Sequence, residues 1–323
     1  DEEKLQVWYP GQTTAGGKGM APPGQASMIG APAELPTVKV LCGGSCEQVL
    51  EVQPMGIGLV EFTCPNCQAV NRLAYNGNAA THAAVGDIEL PPWWLKQPQM
   101  GRNEMVPMGD DVVMAIQDML DKTWRDVTTR DRGFTKPKKL KVVQVSQNCN
   151  PILWHNYVNG KQHIRKNMDR NQLYSTKTNE CMNPALGSLD NDVNEALLFH
   201  GTKPQAVENI CKSDFMINLA GSTTGTLYGK GIYFGECSSK SDEYGQDQAG
   251  LYAMLICRVT LGRVLYNEEV SPNAEKLQQT CVSGGYDSVL GDREKCKKTY
   301  REFIIYKNDQ AYPELAVWYR RLD

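Results

Sequence analysis

The sequence has no strong excess of charge of either sign. Lys and Arg number 34 against 37 Asp and Glu, a formal net charge of −3, which leaves no bulk electrostatic attraction to nucleic acid or an anionic membrane. It has no apolar run of about eighteen residues, so no membrane-spanning helix is expected. The N-terminus lacks the basic, apolar and small-residue pattern of a secretory signal. It opens on Asp1 without Met and is read as a fragment or a processed chain, from which a targeting signal can be missing. No Gly-x-Gly-x-x-Gly fingerprint occupies a βαβ unit, which disfavours a dehydrogenase. A disulfide framework is not expected either. Of 11 cysteines, Cys149, Cys181, Cys211, Cys237, Cys257, Cys281 and Cys296 are scattered singly, a pattern of reduced thiols that points to a cytoplasmic or nuclear protein.

What is present is an ordinary globular composition, 41% hydrophobic and 22% charged over 323 residues, enough for one large domain and a smaller one. Residues 1–36 are rich in Gly, Pro, Ala, Thr and Gln, lack hydrophobic periodicity, and are expected to be a disordered tail. Residues 37–77 carry Cys42-x3-Cys46 and Cys64-x2-Cys67, each pair beside a strand-like run and a Gly- or Pro-containing turn. Four thiolates so paired suit a tetrahedral structural Zn²⁺ in a zinc-ribbon-like β module, with no coordination position left for chemistry. The alternative is four ordinary thiols in a hairpin. A protein partner is the expected use of this module, since Arg72 lies near with few other cations. Residues 78–108 read as a linker whose Pro91-Pro92-Trp93-Trp94-Leu95 patch packs on the neighbouring domain or serves as an exposed partner-binding motif.

From Asp110 a helix is predicted behind an aspartate cap, with Val113, Ile116, Met119, Leu120, Trp124 and Val127 at three- and four-residue steps. A basic turn, Lys136 to Lys141, precedes a strand over 142–145, and Asn150-Pro151 caps a second helix. The stretch around which the rest is organised comes later. Leu198-Phe199-His200-Gly201-Thr202 and Tyr228-Gly229-Lys230-Gly231-Ile232-Tyr233-Phe234 each read as a short apolar strand delivering a polar group to its end. Gly201 permits close approach to the backbone, and Tyr233 lies beside a glycine turn. Ser238-Ser239-Lys240-Ser241-Asp242-Glu243-Tyr244 suits a helix start lining a pocket. Leu251 to Val264, Arg301 to Tyr306 and Pro313 to Tyr319 read as strands. Many short strands with few helices imply an α+β domain with split, mostly antiparallel twisted sheets and flanking helices.

With His200-Gly201, Gly229 to Phe234, Ser241 with Tyr244, Glu302 in Arg301-Glu302-Phe303-Ile304-Ile305-Tyr306, and Gln310-Ala311-Tyr312-Pro313-Glu314, roughly residues 110–323 closely resemble the catalytic domain of the poly(ADP-ribose) polymerase family, the diphtheria-toxin-like ADP-ribosyltransferases. The last stretch looks most like tankyrases. Taken singly, a strand histidine is ordinarily a satisfied core residue, Tyr233 and Tyr244 core aromatics, and Glu302 a surface residue; the order and spacing carry the resemblance.

The resemblance implies a catalytic domain over 109–323 with NAD⁺ as the ADP-ribose donor. It implies that Gly201 and Ser241 bind the nicotinamide carboxamide, and that Tyr244 and Tyr233 flank the ring. His200 holds an adenosine-side ribose hydroxyl, Glu302 holds the nicotinamide ribose 2′-hydroxyl, and Lys240 orients Glu302. His200, Tyr233 and Glu302 form the catalytic set. Glu302 permits chain elongation, so poly(ADP-ribose) transfer to protein acceptors is expected, with mono-ADP-ribosyl transfer or a silent NAD⁺- or ADP-ribose-binding recruitment module as alternatives. A glycohydrolase using water is a further class. The short interval from Trp154 to His200 leaves no room for a helical autoinhibitory domain, so activation by DNA breaks is not expected. One departure stands out. Family members read Gly-Phe-Asp-x-Arg where this chain has Asp214-Phe215-Met216-Ile217-Asn218, and Asn218 in place of arginine implies weaker NAD⁺ binding.

Overall fold

A computed structural model describes residues 5–6, 38–41, 49–53, 58–68, 70–75, 90–95, 103–168, 173–217 and 226–322. The chain divides into two compact units, 1–89 and 90–323. In the first, β1 (Leu5–Gln6) lies parallel to β3 (Val49–Gln53), which pairs antiparallel with β2 (Val38–Leu41). Next, β4 (Gly58–Thr63) and β5 (Val70–Tyr75) form a separate antiparallel hairpin. Cys64 is buried and Cys67 half-buried in the turn that follows β4. There the Gln68 amide donates to the Cys64 carbonyl at 3.0 Å and Gln68 takes a φ of 59°. Cys42 and Cys46 lie outside the described residues. Among the described residues no group of three or more His, Cys, Asp or Glu is placed to hold a metal ion.

The second unit is built on a nine-stranded sheet. Its elements in chain order are β6 (Glu104–Pro107), α1 (Asp110–Lys122), β7 (Lys139–Cys149), α2 (Pro151–Lys166), β8 (Glu195–Thr202), α3 (Pro204–Ser213), β9 (Ile232–Gly235), α4 (Ser238–Asp242), β10 (Tyr252–Thr260), β11 (Val264–Asn267), α5 (Ala274–Val282), β12 (Ser288–Asp292), α6 (Arg293–Lys297), β13 (Arg301–Ile305) and β14 (Ala311–Leu322), with short 3₁₀ turns between α2 and β8 and before β14. The strand order is β11-β12-β13-β9-β8-β10-β14-β7-β6. Only β11 and β12 run parallel. Strands β8 and β9 touch through a single pair, Phe199 with Gly235, so the sheet opens there into two halves. This is the split, mostly antiparallel α+β architecture expected from the sequence.

The core follows from the central strands. β10 reads as a continuous apolar run because both of its faces are covered. Ala253, Leu255, Cys257 and Val259 pack with Val207 and Cys211 of α3. Met254 and Ile256 pack with Leu197 and Phe199 of β8 and with Val112, Ala115, Ile116, Met119 and Leu120 of α1. Ile116 and Met119 are fully buried, each side chain contributing about 1.5–3 kcal/mol.

Two local predictions need correction. Asp110 is not the cap of α1 but its first residue; Gly109 takes the cap position without a side-chain bond, and Asp110 and Asp111 face the positive end of the helix. The helix also stops at Lys122 rather than carrying on through Trp124 and Val127: Thr123 makes the last bond of the helical pattern, to Met119, and the Trp124 amide reaches only the Asp121 carbonyl at 3.4 Å. The cap of α2 is as expected, with Asn150 Oδ1 accepting from the Ile152 and Leu153 amides. The tryptophan pair packs on the nine-stranded sheet. Trp94 is buried against Tyr312 and Trp154, at ring separations of 5.9 Å each. The Trp93 indole donates to Glu314 Oε1 at 2.9 Å.

Candidate active site

The opening between β8 and β9 is where the signature residues meet. Gly235 pairs with Phe199 on one side and with Glu302 of β13 on the other, so His200 and Glu302 lie on the two strands that flank β9. Gly201 has a different reason to be glycine. A Cβ there would lie 1.9 Å from the Ser241 carbonyl oxygen, so any side chain would drive β8 away from α4.

His200 ends an apolar strand and its ring is packed edge-on against Phe215, at 5.1 Å between centroids. Its Nδ1 sits 3.0 Å from the Tyr233 carbonyl. A carbonyl only accepts, so Nδ1 carries the proton. Burial lowers the imidazole pKa, against the opposing effect of that bond, so the neutral ring presents Nε2 as an acceptor.

Tyr233 spends its hydroxyl on the backbone. It donates to the Gly229 carbonyl at 2.8 Å and accepts from the Tyr228 amide at 3.0 Å. The phenol thus pins the Gly229-Lys230-Gly231 turn. Burial pushes its pKa up, so it stays protonated.

Lys240, Ser241 and Tyr244 come from α4 and the residue pair after it. Lys240 is the centre of a charged cluster. Its Nζ lies 2.9 Å from Glu243 Oε2, 3.1 Å from Asp131 Oδ2 and 3.4 Å from Glu302 Oε1. It also donates to the Tyr244 hydroxyl at 2.8 Å. Burial opposes the charge on Lys240, but the Glu302 carboxylate and its neighbours outweigh it and hold the ammonium protonated. The Tyr244 pKa is pushed up to about 12 by burial, against the pull of Lys240. Glu302 has an ordered but accessible carboxylate, its side chain 14% exposed. The signature residues are therefore joined by contacts, His200 to Tyr233, Gly201 to Ser241, and Lys240 to Tyr244 and Glu302. Asn218 lies outside the described residues.

Sequence reading missed the residues that hold this site together. Glu236, next to Gly235, is buried and takes Arg301 Nε at 2.7 Å and Lys177 Nζ at 2.9 Å. This anchors the start of β13, and with it Glu302, to the end of β9. Ser238 Oγ donates to the Leu120 carbonyl at 2.7 Å, fastening α4 to α1. Thr129, Asp131 and Arg132 reach α4 or its neighbours from a stretch with no apolar period. The one sequence signal was the dense run Thr129-Arg130-Asp131-Arg132 itself.

Comparison with known proteins places this geometry. Protein mono-ADP-ribosyltransferase PARP12 of Homo sapiens is 30% identical over 127 residues, 39% of this chain and 17% of that protein. Poly [ADP-ribose] polymerase tankyrase of Caenorhabditis elegans is 36% identical over 100 residues, 28% of this chain and 4% of that protein. Protein mono-ADP-ribosyltransferase PARP10 of Mus musculus is 34% identical over 125 residues, 37% of this chain and 12% of that protein. The chain thus spans less than a fifth of each of these relatives. The family model described as the poly(ADP-ribose) polymerase catalytic domain matches residues 123–320, from the end of α1 to the last strand, and by that match the chain belongs to this family.

Proposed function

We propose that this chain is an NAD⁺-dependent protein ADP-ribosyltransferase that transfers ADP-ribose from NAD⁺ to protein acceptors and releases nicotinamide. The observation that carries the reading is Glu302 set 3.4 Å from Lys240 and registered with Gly235, whose partner on the other side, Phe199, directly precedes His200. The residues fit the donor. The Gly201 backbone and the Ser241 hydroxyl bind the carboxamide, while Tyr233 and Tyr244 flank a cationic ring that aromatic faces attract. Neutral His200 accepts a hydrogen bond from an adenosine-side ribose hydroxyl at Nε2. Glu302 accepts one from the 2′-hydroxyl of the nicotinamide ribose.

In the reaction the bond from the ribose anomeric carbon to the nicotinamide nitrogen breaks, and its electron pair leaves with neutral nicotinamide. Positive charge develops on the ribose, where the Glu302 carboxylate stabilises it. The acceptor oxygen then bonds to the same carbon, and when that oxygen is a hydroxyl, Glu302 polarises it for attack. Because this carboxylate can act on a ribose hydroxyl as well as on a protein side chain, poly-ADP-ribosylation is the preferred reading. Mono-ADP-ribosylation is the second, favoured by the names of the PARP12 and PARP10 relatives. The test is incubation of the purified chain with labelled NAD⁺, resolved by size, beside His200→Ala and Glu302→Ala. A heterogeneous high-mass ladder lost in both variants supports a polymerase. A single sharp band makes it a mono-transferase, and no incorporation overturns the reading.

For the N-terminal unit the reading is a structural Zn²⁺ held by Cys42, Cys46, Cys64 and Cys67, with a protein partner as the module's target. The turn at Cys64-Pro65-Asn66-Cys67, closed by the Gln68 amide, supports it, since it brings two cysteines to one tight bend. Elemental analysis of the purified chain and of Cys64→Ser decides it; a wild-type chain without stoichiometric zinc rules it out.

A further inference from the structure

The stretch between α1 and β7 is fastened to α4 along its length. The Arg125 amide donates to Ser239 Oγ at 3.1 Å. Thr129 Oγ1 lies 2.9 Å from both oxygens of Glu243. Arg132 bonds Asp242 Oδ2 at 2.8 Å and the Ser239 carbonyl at 2.5 Å, with the Arg132 and Asp242 side chains fully buried. Between Thr129 and Arg132 the chain turns its next carboxylate outward. Asp131 Oδ2 lies 3.1 Å from Lys240 Nζ and 3.3 Å from the Tyr244 hydroxyl, and the side chain is 40% exposed. This partly exposed carboxylate thus bonds two residues of the site.

We propose that Asp131 is a positioning and specificity residue of the transferase reaction, whose carboxylate fixes Lys240 and Tyr244 and makes the nicotinamide side of the site prefer the cationic ring of NAD⁺ over the neutral ring of released nicotinamide. The proposal rests on the transferase reading above and on the assignment of Tyr244 to the ring. The charge count supports it. Lys240 is shared by three carboxylates, Glu243, Asp131 and Glu302. Arg132 reaches Glu243 only at 3.7 Å and is committed to Asp242 at 2.8 Å. Arg321 is also bound to Asp242. Arg130, 3.7 Å from Asp131, is 92% exposed and screened by water. Lys240, Arg132 and Arg321 against Glu243, Asp131, Glu302 and Asp242 leave the cluster one negative charge in surplus, with Lys240 Nζ itself 4.8 Å from the Tyr244 ring centroid. Burial pushes the Asp131 carboxyl up, but Lys240 beside it prevails and keeps it ionised. A positive ring gains from this charge, and once the glycosidic bond breaks the leaving nicotinamide no longer does. The same carboxylate thus favours substrate entry and product departure.

The experiment measures initial rates of nicotinamide release by the full chain, as wild type, Asp131→Asn and Asp131→Glu. It compares the KM for NAD⁺ with the inhibition constant of added nicotinamide. Removing one charge a few ångströms from the ring is expected to raise the KM about fivefold in Asp131→Asn. The neutral inhibitor, which does not feel that charge, should shift by no more than about twofold. Asp131→Glu should recover most of the preference, and the thermal midpoint should hold in both variants, because Thr129 and Arg132 keep the stretch in place. Equal changes for NAD⁺ and nicotinamide would make Asp131 a mere pocket wall and overturn the proposal; so would no change in either. A wild-type chain that neither binds NAD⁺ nor releases nicotinamide defeats the transferase reading and this inference with it. An active wild type matched by Asp131→Asn defeats the inference alone.

Discussion

Two clusters of buried charge stand on this sheet, built from nearly the same parts. One centres on Arg258 of β10 and the other on Lys240 of α4; each gathers carboxylates and a tyrosine. Around Arg258 every group is matched. Its Nε takes Glu314 Oε2 at 2.7 Å and its Nη2 takes Glu314 Oε1 at 3.2 Å, a two-pronged fork. Its Nη1 reaches Glu195 Oε2 at 3.1 Å. Lys161 and Tyr157 complete Glu195, and all three central side chains are at most 4% exposed. Around Lys240 a single point charge serves three carboxylates, and Glu302 is the most distant of them at 3.4 Å. The planar guanidinium closes a network, whereas the ammonium leaves one open. A saturated cluster contributes to the fold, and an unsaturated one has bonding capacity left for a substrate.

The sharpest way to break this comparison is to remove one carboxylate from each cluster. Glu302→Gln should lower ADP-ribose transfer by about 10²–10³-fold while moving the thermal midpoint little, since only one long ion pair is lost. Glu314→Gln should do the reverse. It leaves Arg258 buried with one counter-charge fewer, at a cost of about 3–5 kcal/mol. In a unit of this size that is a drop of roughly 10 °C. Calorimetry and labelled-NAD⁺ turnover on both variants check this. Two variants that lose stability alike, or activity alike, would show that the clusters do not divide the labour.

A third buried carboxylate belongs to neither pattern, and a smaller effect is expected there. Asp214 follows α3 with a φ of 77° and a ψ of 175°, a region that glycine takes freely and other residues do not. Its Oδ1 accepts from the Phe215 amide at 2.7 Å, and no ion pair offsets its charge among the described residues. Burial raises its pKa to about 6 from 3.8, more than the Phe215 bond lowers it. A raised carboxyl favours the fold in full below the unfolded value and loses that contribution as pH climbs through about 6. At pH 8 the ionised group therefore works against the native state. Asp214→Gly removes both the charge and the strained φ, and should stabilise the protein by about 2 kcal/mol at pH 8. The gain should shrink by pH 5, where Asp214 is largely protonated and backbone strain is what remains. Thermal midpoints across that range check the sign, and an unchanged or lowered midpoint at pH 8 would overturn it. Phe215, the next residue, packs on His200, so the strain lies one residue from a side chain of the site.

Much of this was legible in sequence for a local reason. His200, Gly201, Tyr233, Ser241 and Tyr244 sit at the ends of short apolar runs or in the turns beside them, where neighbours in the chain largely determine how each group is presented. The partners of these residues were not legible. Asp131 meets Lys240 across 109 positions and Arg125 meets Ser239 across 114, separations at which no local pattern reports a contact. The same limit explains the overrun of α1. Trp124 and Val127 continue its three- and four-residue steps, but the helical bonding runs out at Thr123 and the Trp124 amide turns to Asp121. Asp110 looked like a cap because aspartate suits both the cap and the first turn, and only backbone geometry separates them.

The mildest probe of the comparison is Trp93→Phe. Trp93 lies well before residue 123, where the family match begins. Yet its indole donates to Glu314 Oε1 at 2.9 Å, and Arg258 stacks over its ring at 5.0 Å. Phenylalanine keeps an aromatic face for the guanidinium and loses only the N–H. Glu314 Oε1 is not orphaned, because Arg258 Nη2 still reaches it at 3.2 Å. The cost should therefore fall at the low end of the range for one hydrogen bond to a charged group, about 1.5 kcal/mol, with NAD⁺ turnover unchanged. If the midpoint instead falls as far as in Glu314→Gln, the Arg258 cluster is not saturated without the tryptophan, and the 90–95 segment is as much a part of it as Glu314. If turnover falls while the midpoint holds, the closed cluster communicates with the open one, and the division between a cluster for folding and a cluster for chemistry fails at its weakest joint.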